Sequence, residues 1–142
     1  HKVLINLSLA DPDVHSIPLT SEEEGVAMAA GAHLGGQKHV LLMQSSGAGN
    51  CINMLSLPRL GKFPFLTILS MRGDYGEGNP WQMPMGKSVQ PVLEACDVMC
   101  LKVESADEVL SAVSAGLTMA FQSQESVAVL LGQKMLGAKK FG

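Results

Sequence analysis

Residues 39–50 read HVLLMQSSGAGN, an apolar run that passes directly into a polar, glycine-rich turn. Within it, residues 40–44 are predicted to form a short strand. A second junction of the same kind lies upstream, where the apolar stretch 14–19 meets SEEEGVAMAAG at residues 21–31. Parallel sheets bind ligands beyond the carboxyl ends of their strands. Two such corners so close together therefore predict a ligand site at one edge of a parallel sheet.

Helix and strand patterns alternate outward from these corners, which predicts an α/β domain that is doubly wound, with a mostly parallel sheet flanked by helices. The expected helices cover 2–10, 22–34, 50–60, 87–96 and 106–122, and the expected strands cover 14–19, 40–44, 65–70, 98–103 and 127–131. The last helix is expected to bury one apolar face, marked by Leu110, Val113, Leu117 and Phe121. The segment 71–85 is predicted to be a long irregular loop, and 133–142 a basic tail.

The composition narrows the classes of function. The chain has 142 residues, of which 46% are hydrophobic and 4% aromatic, and its net charge is −3. Without a basic stripe or an aromatic platform we expect no nucleic-acid partner, and the apolar runs are too short to cross a bilayer. Three cysteines without a CxxC pair, and no recognisable signal peptide, predict reduced thiols in a cytoplasmic protein. The scattered histidines predict no metal site built from protein ligands alone.

The acidic run Glu22–Glu24 admits two interpretations. Thr20 or Ser21 can cap the helix that follows, with Glu23 or Glu24 completing a capping box. Acids in a first turn also suit the helix dipole. Capping explains one or two glutamates but does not require three. One carboxylate at a ligand-binding corner is therefore a candidate for proton transfer.

Two further polar segments also admit two interpretations each. The turn Gly47–Gly49 stands between a strand and a helix and suits a phosphate, yet it is equally an ordinary tight turn. The loop that follows residue 70 holds Arg72, whose planar guanidinium suits oxyanions, and Lys87 is a second cation just beyond it. A solvated surface loop explains the same residues.

Several short sequence motifs, taken in their order along the chain, carry information that these patterns do not. They are EEEG at 22–25, AAG at 29–31, MQSSGAGN at 43–50, RG at 72–73 with GE at 76–77, and QMPMG at 82–86. Together they resemble the pyrimidine-binding (PYR) domain of thiamine-diphosphate-dependent 2-oxo acid decarboxylases, in particular the sulfopyruvate decarboxylase α subunits and the phosphonopyruvate decarboxylases. The resemblance covers nearly the whole chain and implies the thiamine-diphosphate-binding fold.

The resemblance implies a cofactor, thiamine diphosphate, and a catalytic residue. In that family one glutamate hydrogen-bonds N1′ of the cofactor's aminopyrimidine, nine residues before the glycine that closes the Ala-Ala-Gly block. Counting back from Gly31 gives Glu22. By the same resemblance, the cofactor site is lined by Glu22, Gln44, Ser45, Ser46, Gly47, Gly49 and Asn50. The substrate entrance is bordered by Arg72, Glu77 and Gln82.

The resemblance also implies a partner. The family holds the diphosphate and Mg²⁺ through a second (PP) domain with a Gly-Asp-Gly motif, which this sequence lacks, so no metal ligand is assigned here. We expect a carbon–carbon lyase that is active only with a β subunit carrying the PP domain, in an α₂β₂ or larger assembly with the cofactor at the interface. Residues 1–142 are then a single PYR domain that lacks its first strand and part of its first helix.

The substrate that the resemblance implies is a small 2-oxo acid with an anionic tail, such as sulfopyruvate or phosphonopyruvate. Two alternatives stay open. A carboligating subunit like that of acetolactate synthase would use the same cofactor and the same glutamate. A non-catalytic α/β module would instead bind a ligand at the turn Gly47–Gly49, and Glu22 would then have no chemical role.

Overall fold

A computed structural model describes residues 1–138 of the chain. Its four strands are β1 Leu41–Gln44, β2 Phe65–Ser70, β3 Met99–Val103 and β4 Ser126–Leu131. All are parallel and lie in the order β1-β2-β4-β3. The predicted α/β class with a parallel sheet is confirmed. Residues 139–142, the end of the predicted basic tail, lie outside the described residues.

Helices connect and flank the strands. They are α1 Lys2–Ala10, α2 Glu22–Leu34, α3 Ala48–Cys51, α4 Ser56–Gly61, α5 Met83–Ala95 and α6 Val109–Phe121. The chain steps outward from β2 to β3 through α5 and returns to β4, between them, through α6. Because crossovers between parallel strands are right-handed, this reversal places α5 and α6 on opposite faces of the sheet.

Successive side chains of the strands point alternately into two apolar cores, one on each face of the sheet. The core beneath α2, α3 and α5 includes the buried residues Val26, Leu41, Cys51, Phe65, Leu69, Leu93 and Leu130. The core beneath α6 includes Leu66, Ile68, Val103, Ala120, Val127 and Val129. Burial on both faces explains why the strands read as continuous apolar runs.

The predicted buried face of α6 is only partly correct: Val113 and Phe121 pack against the core, but Leu110 and Leu117 do not. Leu110 is 79% exposed and Leu117 is 40% exposed, whereas Gly116 and Ala120 face the sheet. A Cβ atom on Gly116 would lie only 3.3 Å from Leu66 Cδ1. The sheet already presents large side chains at this point, so the helix approaches it through its smallest residues and turns the leucines outward.

Three other predicted elements differ from the structure. Residues 14–19 form no strand, because they pair with no neighbour and leave Val14 and Ile17 exposed. The helix predicted at 50–60 is divided into α3 and α4 by a turn at 52–55. The helix predicted from Lys87 begins at Met83, so the irregular loop is shorter than expected.

Helix α1 lies outside both cores, and none of its residues is buried. The chain contacts the sheet just before it, where His1 Nε2 donates to the carbonyl oxygen of Met43 at 3.0 Å. Of the helices in residues 1–138, none has both the length and the apolar character that a membrane span requires.

Candidate active site

Glu22 is the first residue of α2, directly after the N-cap Ser21. The last strand residue of β1, Gln44, leads through a single 3-10 turn, Ser45–Gly47, into α3. The two segments predicted as strand-to-helix corners therefore meet at the carboxyl edge of the sheet, although only the one after β1 follows a strand. The contact between Glu22 and the turn after β1 is direct.

The Glu22 carboxylate is half-buried against the backbone of Gly47. A Cβ atom at Gly47 would lie 2.5 Å from both Cγ and Oε1 of Glu22, so only glycine leaves room for the carboxylate in this position. Asn50 Nδ2 donates to Glu22 Oε2 at 2.8 Å. This bond leaves Oε1 without a hydrogen-bond partner among residues 1–138. The structure thus brings together three of the predicted site residues.

The other two glutamates of the acidic run bind residues just before the helix, but the N-cap Ser21 makes no side-chain cap hydrogen bond, so the predicted capping box does not form. Glu24 Oε2 accepts from the backbone N–H of Thr20 at 2.9 Å. The hydroxyl of Ser21 donates to the carboxylate of Glu23, and this hydrogen bond lowers the pKa of Glu23. Glu22 is therefore the member of the run that points to the second corner rather than to its own helix.

The side chains that follow β1 connect this corner with the segment after β2. Gln44 Nε2 donates to Ser46 Oγ at 2.7 Å and to Gln82 Oε1 at 3.3 Å. Ser45 is fully buried, and its hydroxyl oxygen accepts from the backbone N–H of Arg72 at 3.0 Å. Gly49 faces Met85 of α5 at ordinary contact distance. Every residue predicted to line the cofactor site thus lies at one edge of the sheet.

Arg72 and Glu77 form a bidentate ion pair within the loop that follows β2. Arg72 Nε donates to Glu77 Oε2 at 2.6 Å, and Nη2 donates to Oε1 at 2.9 Å. The Glu77 side chain is fully buried, and that of Arg72 is 18% exposed. Hydrogen bonds from Arg72 are the main reason that the pKa of Glu77 lies well below its usual range, and Glu77 in turn raises the pKa of Arg72. Two predicted substrate residues are therefore bound to each other.

Sequence reasoning did not single out Gln133, which completes this network. It stands two residues after β4 and is 4% exposed. Its Nε2 donates to Glu77 Oε2 at 2.9 Å. The available signal was a polar residue near the end of a buried strand, the same signal that marked Gln44 at the end of β1.

Other polar residues near this edge are not part of the cluster. Lys87 is exposed on α5, and Trp81 is 83% exposed. Cys51 lies beneath the turn, where burial raises the pKa of its thiol to about 12, and the charges of Glu22 and Glu23 add to the effect. The thiol is therefore neutral at physiological pH. Within residues 1–138, no three histidine, cysteine or acidic side chains cluster as metal ligands do.

The arrangement suits proton exchange with a bound ring. Glu22 offers an acceptor on a rigid helix start, held by Gly47 and Asn50. The Arg72–Glu77 pair stands on the neighbouring loop, and Ser45 and Gln44 link the two regions. A carboxyl group on one side and a guanidinium on the other are the groups needed to handle a proton and to meet an anion.

Relatives of known name match the chain over most of its length, although no protein-family model matches it. The sulfopyruvate decarboxylase subunit alpha of Methanococcus maripaludis is 38% identical over 131 residues, covering 92% of this chain and 78% of that relative. The same subunit of Methanocaldococcus jannaschii is 36% identical over 130 residues, covering 91% and 77%. The phosphonopyruvate decarboxylase of Streptomyces viridochromogenes is 36% identical over 115 residues, covering 79% of this chain and 29% of that protein.

The three relatives named as alpha subunits match this chain over 91–92% of its length. Their identity of 35–38% over 130 or 131 residues is well beyond chance similarity. The glycine, glutamine and glutamate blocks that carried the resemblance lie on the sheet edge described above. The chain belongs to the family of sulfopyruvate decarboxylase alpha subunits.

Proposed function

We propose that this chain is the alpha subunit of a thiamine-diphosphate-dependent decarboxylase that acts on a 2-oxo acid with an anionic tail. The relatives are named for sulfopyruvate and phosphonopyruvate, two pyruvates that differ in the acid group they carry. The observation that carries the proposal is the position of Glu22. Its carboxylate is wedged against Gly47 and hydrogen-bonded by Asn50 at the ligand-binding edge of a parallel sheet.

The residues of this corner fit the aminopyrimidine of thiamine diphosphate. The close contact with Gly47 fixes the Glu22 carboxylate, and its Oε1 offers an acceptor for a ring nitrogen. Glu22, Gln44, Ser46, Gly47, Gly49 and Asn50 would line the ring, with Ser45 shaping the wall from beneath. When bound, the cofactor supplies the electron sink for decarboxylation. The chain's own part is to hold a proton on Glu22 at the ring nitrogen, which makes Glu22 the catalytic residue of this proposal.

Arg72 is proposed to receive the anionic tail of the substrate. A guanidinium has five N–H donors, and the bonds to Glu77 Oε1 and Oε2 use two of them. Within residues 1–138 no hydrogen bond engages the other three, and we propose that they meet a sulfonate or phosphonate oxygen. Glu77 fixes the plane of the fork, and Gln82 closes this side of the entrance through Gln44.

The second half of the site is proposed to come from a β subunit. Diphosphate and Mg²⁺ need oxygen ligands in near-octahedral geometry. A PP domain on the partner would provide them, and the cofactor would lie at the interface of an α₂β₂ or larger assembly. In this arrangement the chain is the PYR domain of the enzyme, with no metal ligand of its own.

The test is reconstitution of the chain with its β subunit, thiamine diphosphate and Mg²⁺. We expect CO₂ release from sulfopyruvate or phosphonopyruvate at a kcat/KM well above that for pyruvate, which lacks the anionic tail. Each subunit alone should be inactive. A product in which two substrate carbons are joined would identify carboligation instead. An active complex with no preference for an anionic tail would contradict the role proposed for Arg72.

A further inference from the structure

Gln133 uses every hydrogen-bonding atom of its carboxamide to hold the loop after β2. Nε2 donates to Glu77 Oε2 at 2.9 Å. Oε1 accepts from the backbone N–H of Asp74 at 3.2 Å and from that of Tyr75 at 3.4 Å. The backbone N–H of Gln133 donates back to the Asp74 carboxylate at 3.3 Å. The loop is thus folded around a single side chain that is anchored at the end of β4.

The carboxylate of Glu77 depends on this contact. It is fully buried and accepts four hydrogen bonds, two on each oxygen: from Nε and Nη2 of Arg72, from the backbone N–H of Asn79, and from Gln133. Gln133 and Arg72 Nε share the same oxygen, Oε2. A buried carboxylate that loses a donor rearranges to recover one, because an unsatisfied buried charge is costly. The Arg72 fork would turn with it.

We infer that Gln133 is a positioning residue, which fixes the guanidinium of Arg72 through Glu77 and thereby sets the receptor for the anionic tail of the substrate. This inference rests on the proposed function, since it takes Arg72 as that receptor. Gln133 stands just after β4 and hydrogen-bonds Glu77 rather than Arg72, so it acts on Arg72 through Glu77. Its effect therefore belongs to substrate binding, whereas that of Glu22 belongs to turnover.

Two variants in the reconstituted complex separate this role from simple packing. Gln133→Met keeps the length of the side chain and removes all its hydrogen bonds. Gln133→Glu keeps the shape and the oxygen that accepts from Asp74 and Tyr75, but replaces the donor to Glu77 with a second carboxylate. The matched control is Gln90→Met, because Gln90 Nε2 also donates to a glutamate, Glu94 at 2.8 Å, on the surface of α5.

The measurements are KM and kcat for sulfopyruvate and phosphonopyruvate, together with hydrogen–deuterium exchange over 72–79. Both Gln133 variants should raise KM about tenfold or more, because both remove the hydrogen bond to the charged Glu77 carboxylate, with kcat little changed. Exchange in the loop should become faster in both variants. Gln90→Met should match the wild type in every measurement.

The contrary outcomes point to different failures. An active wild type whose KM is unaffected by Gln133→Met and Gln133→Glu overturns this inference alone, even if the loop exchanges faster. Failure of both variants to assemble, when Gln90→Met assembles, makes Gln133 a folding residue and also overturns it. A wild-type complex that releases no CO₂ from either acid contradicts the proposed function itself, whatever the exchange data show.

Discussion

Two glutamates at the same edge of the sheet have opposite surroundings. The Glu22 carboxylate is half-buried and receives a hydrogen bond from Asn50 on one oxygen. The Glu77 carboxylate is fully buried and accepts four hydrogen bonds, two of them from the guanidinium of Arg72. A carboxylate saturated with donors is held in its charged form and is poorly suited to exchange a proton. Glu22 thus has the surroundings of a reactive group, and Glu77 has those of a structural one.

The largest effect expected from this contrast is that of Glu22→Gln. The amide has nearly the same shape but cannot hold and release a proton, so kcat of the reconstituted enzyme should fall by about 10²-fold or more. Thermal unfolding should be unchanged. Glu24→Gln is the matched control, because Glu24 lies in the same first turn and accepts from the backbone N–H of Thr20 just before the helix. A Glu22→Gln enzyme with normal turnover would contradict the assignment of the catalytic residue.

Gly47→Ala tests the position of Glu22 without changing its chemistry. The new methyl carbon would lie 2.5 Å from Glu22 Cγ and Oε1, so the carboxylate has to move. Because a displacement of about 1 Å in a reacting group can cost 10²-fold in rate, we expect kcat to fall at least tenfold, by the same principle. The matched control is Gly31→Ala on the same helix as Glu22: apart from the helix's own backbone, no atom of the described residues lies within 4 Å of a Cβ there, so this variant should be close to wild type. Equal loss of kcat in both variants would mean that the contact between Gly47 and Glu22 does not account for the position of the carboxylate.

Glu77→Gln should lower stability, in addition to the rise in KM expected from releasing the Arg72 fork. It leaves the largely buried Arg72 without its counter-charge, so the midpoint of thermal unfolding should fall by several degrees at pH 7. Glu94→Gln, which removes a charge from an exposed glutamate bonded to Gln90, should leave the midpoint nearly unchanged. Equal midpoints for Glu77→Gln and Glu94→Gln would contradict the structural role of the pair.

The pH dependence of the unfolding midpoint of Glu77→Gln tests the same difference between the two glutamates. Since the pKa of Glu77 is lower in the fold than the value of about 4.3 in an unfolded chain, the ion pair stabilises the fold fully above that value. The stabilisation is lost as the pH falls below it. The difference in midpoint between the wild type and the variant should therefore shrink in acid, as measured by calorimetry between pH 7 and pH 3.

The smallest expected effect concerns a buried titratable group without partners, His39. Both its ring nitrogens lack a hydrogen-bond partner within residues 1–138, and its ring lies near Phe65 and Phe121. Burial lowers the pKa of His39. The unfolded chain takes up the proton near pH 6.5, so stability should decrease as the pH falls below that value. His39→Phe should flatten this slope between pH 7.5 and 5.5, whereas the same change at the exposed His15 should leave it in place.

Much of the fold followed from local patterns. The helices at Lys2–Ala10 and Glu22–Leu34 and the strand Phe65–Ser70 have the predicted bounds. The two helices end before residues that stop a helix by their own conformational preference, Asp11-Pro12 after α1 and Gly35-Gly36 after α2. The prediction of a strand at 14–19 was wrong because a strand exists only beside a partner, and the partner is not a local property.

The candidate site was also only partly predictable. The nine-residue count taken from the family resemblance indicated Glu22, and the glycine turn indicated Gly47, whereas the spacing of the acidic run alone favoured helix capping. Gln133 is more than fifty residues from Glu77 in the chain, and the hydrogen bond that joins them depends on β4 lying beside β2. The exposed position of Leu110 likewise depends on how α6 meets the sheet.

The sequence by itself determined the α/β class, most of the helices and strands, and the family, because these depend on periodicity, on breakers and on ordered motifs along the chain. The tertiary structure alone decided which glutamate meets Gly47, that Arg72 is bound by Glu77, and that Gln133 holds them both. The physical reason is that a hydrogen bond between distant residues depends on strand order and helix packing. Local sequence restricts those choices but does not fix them.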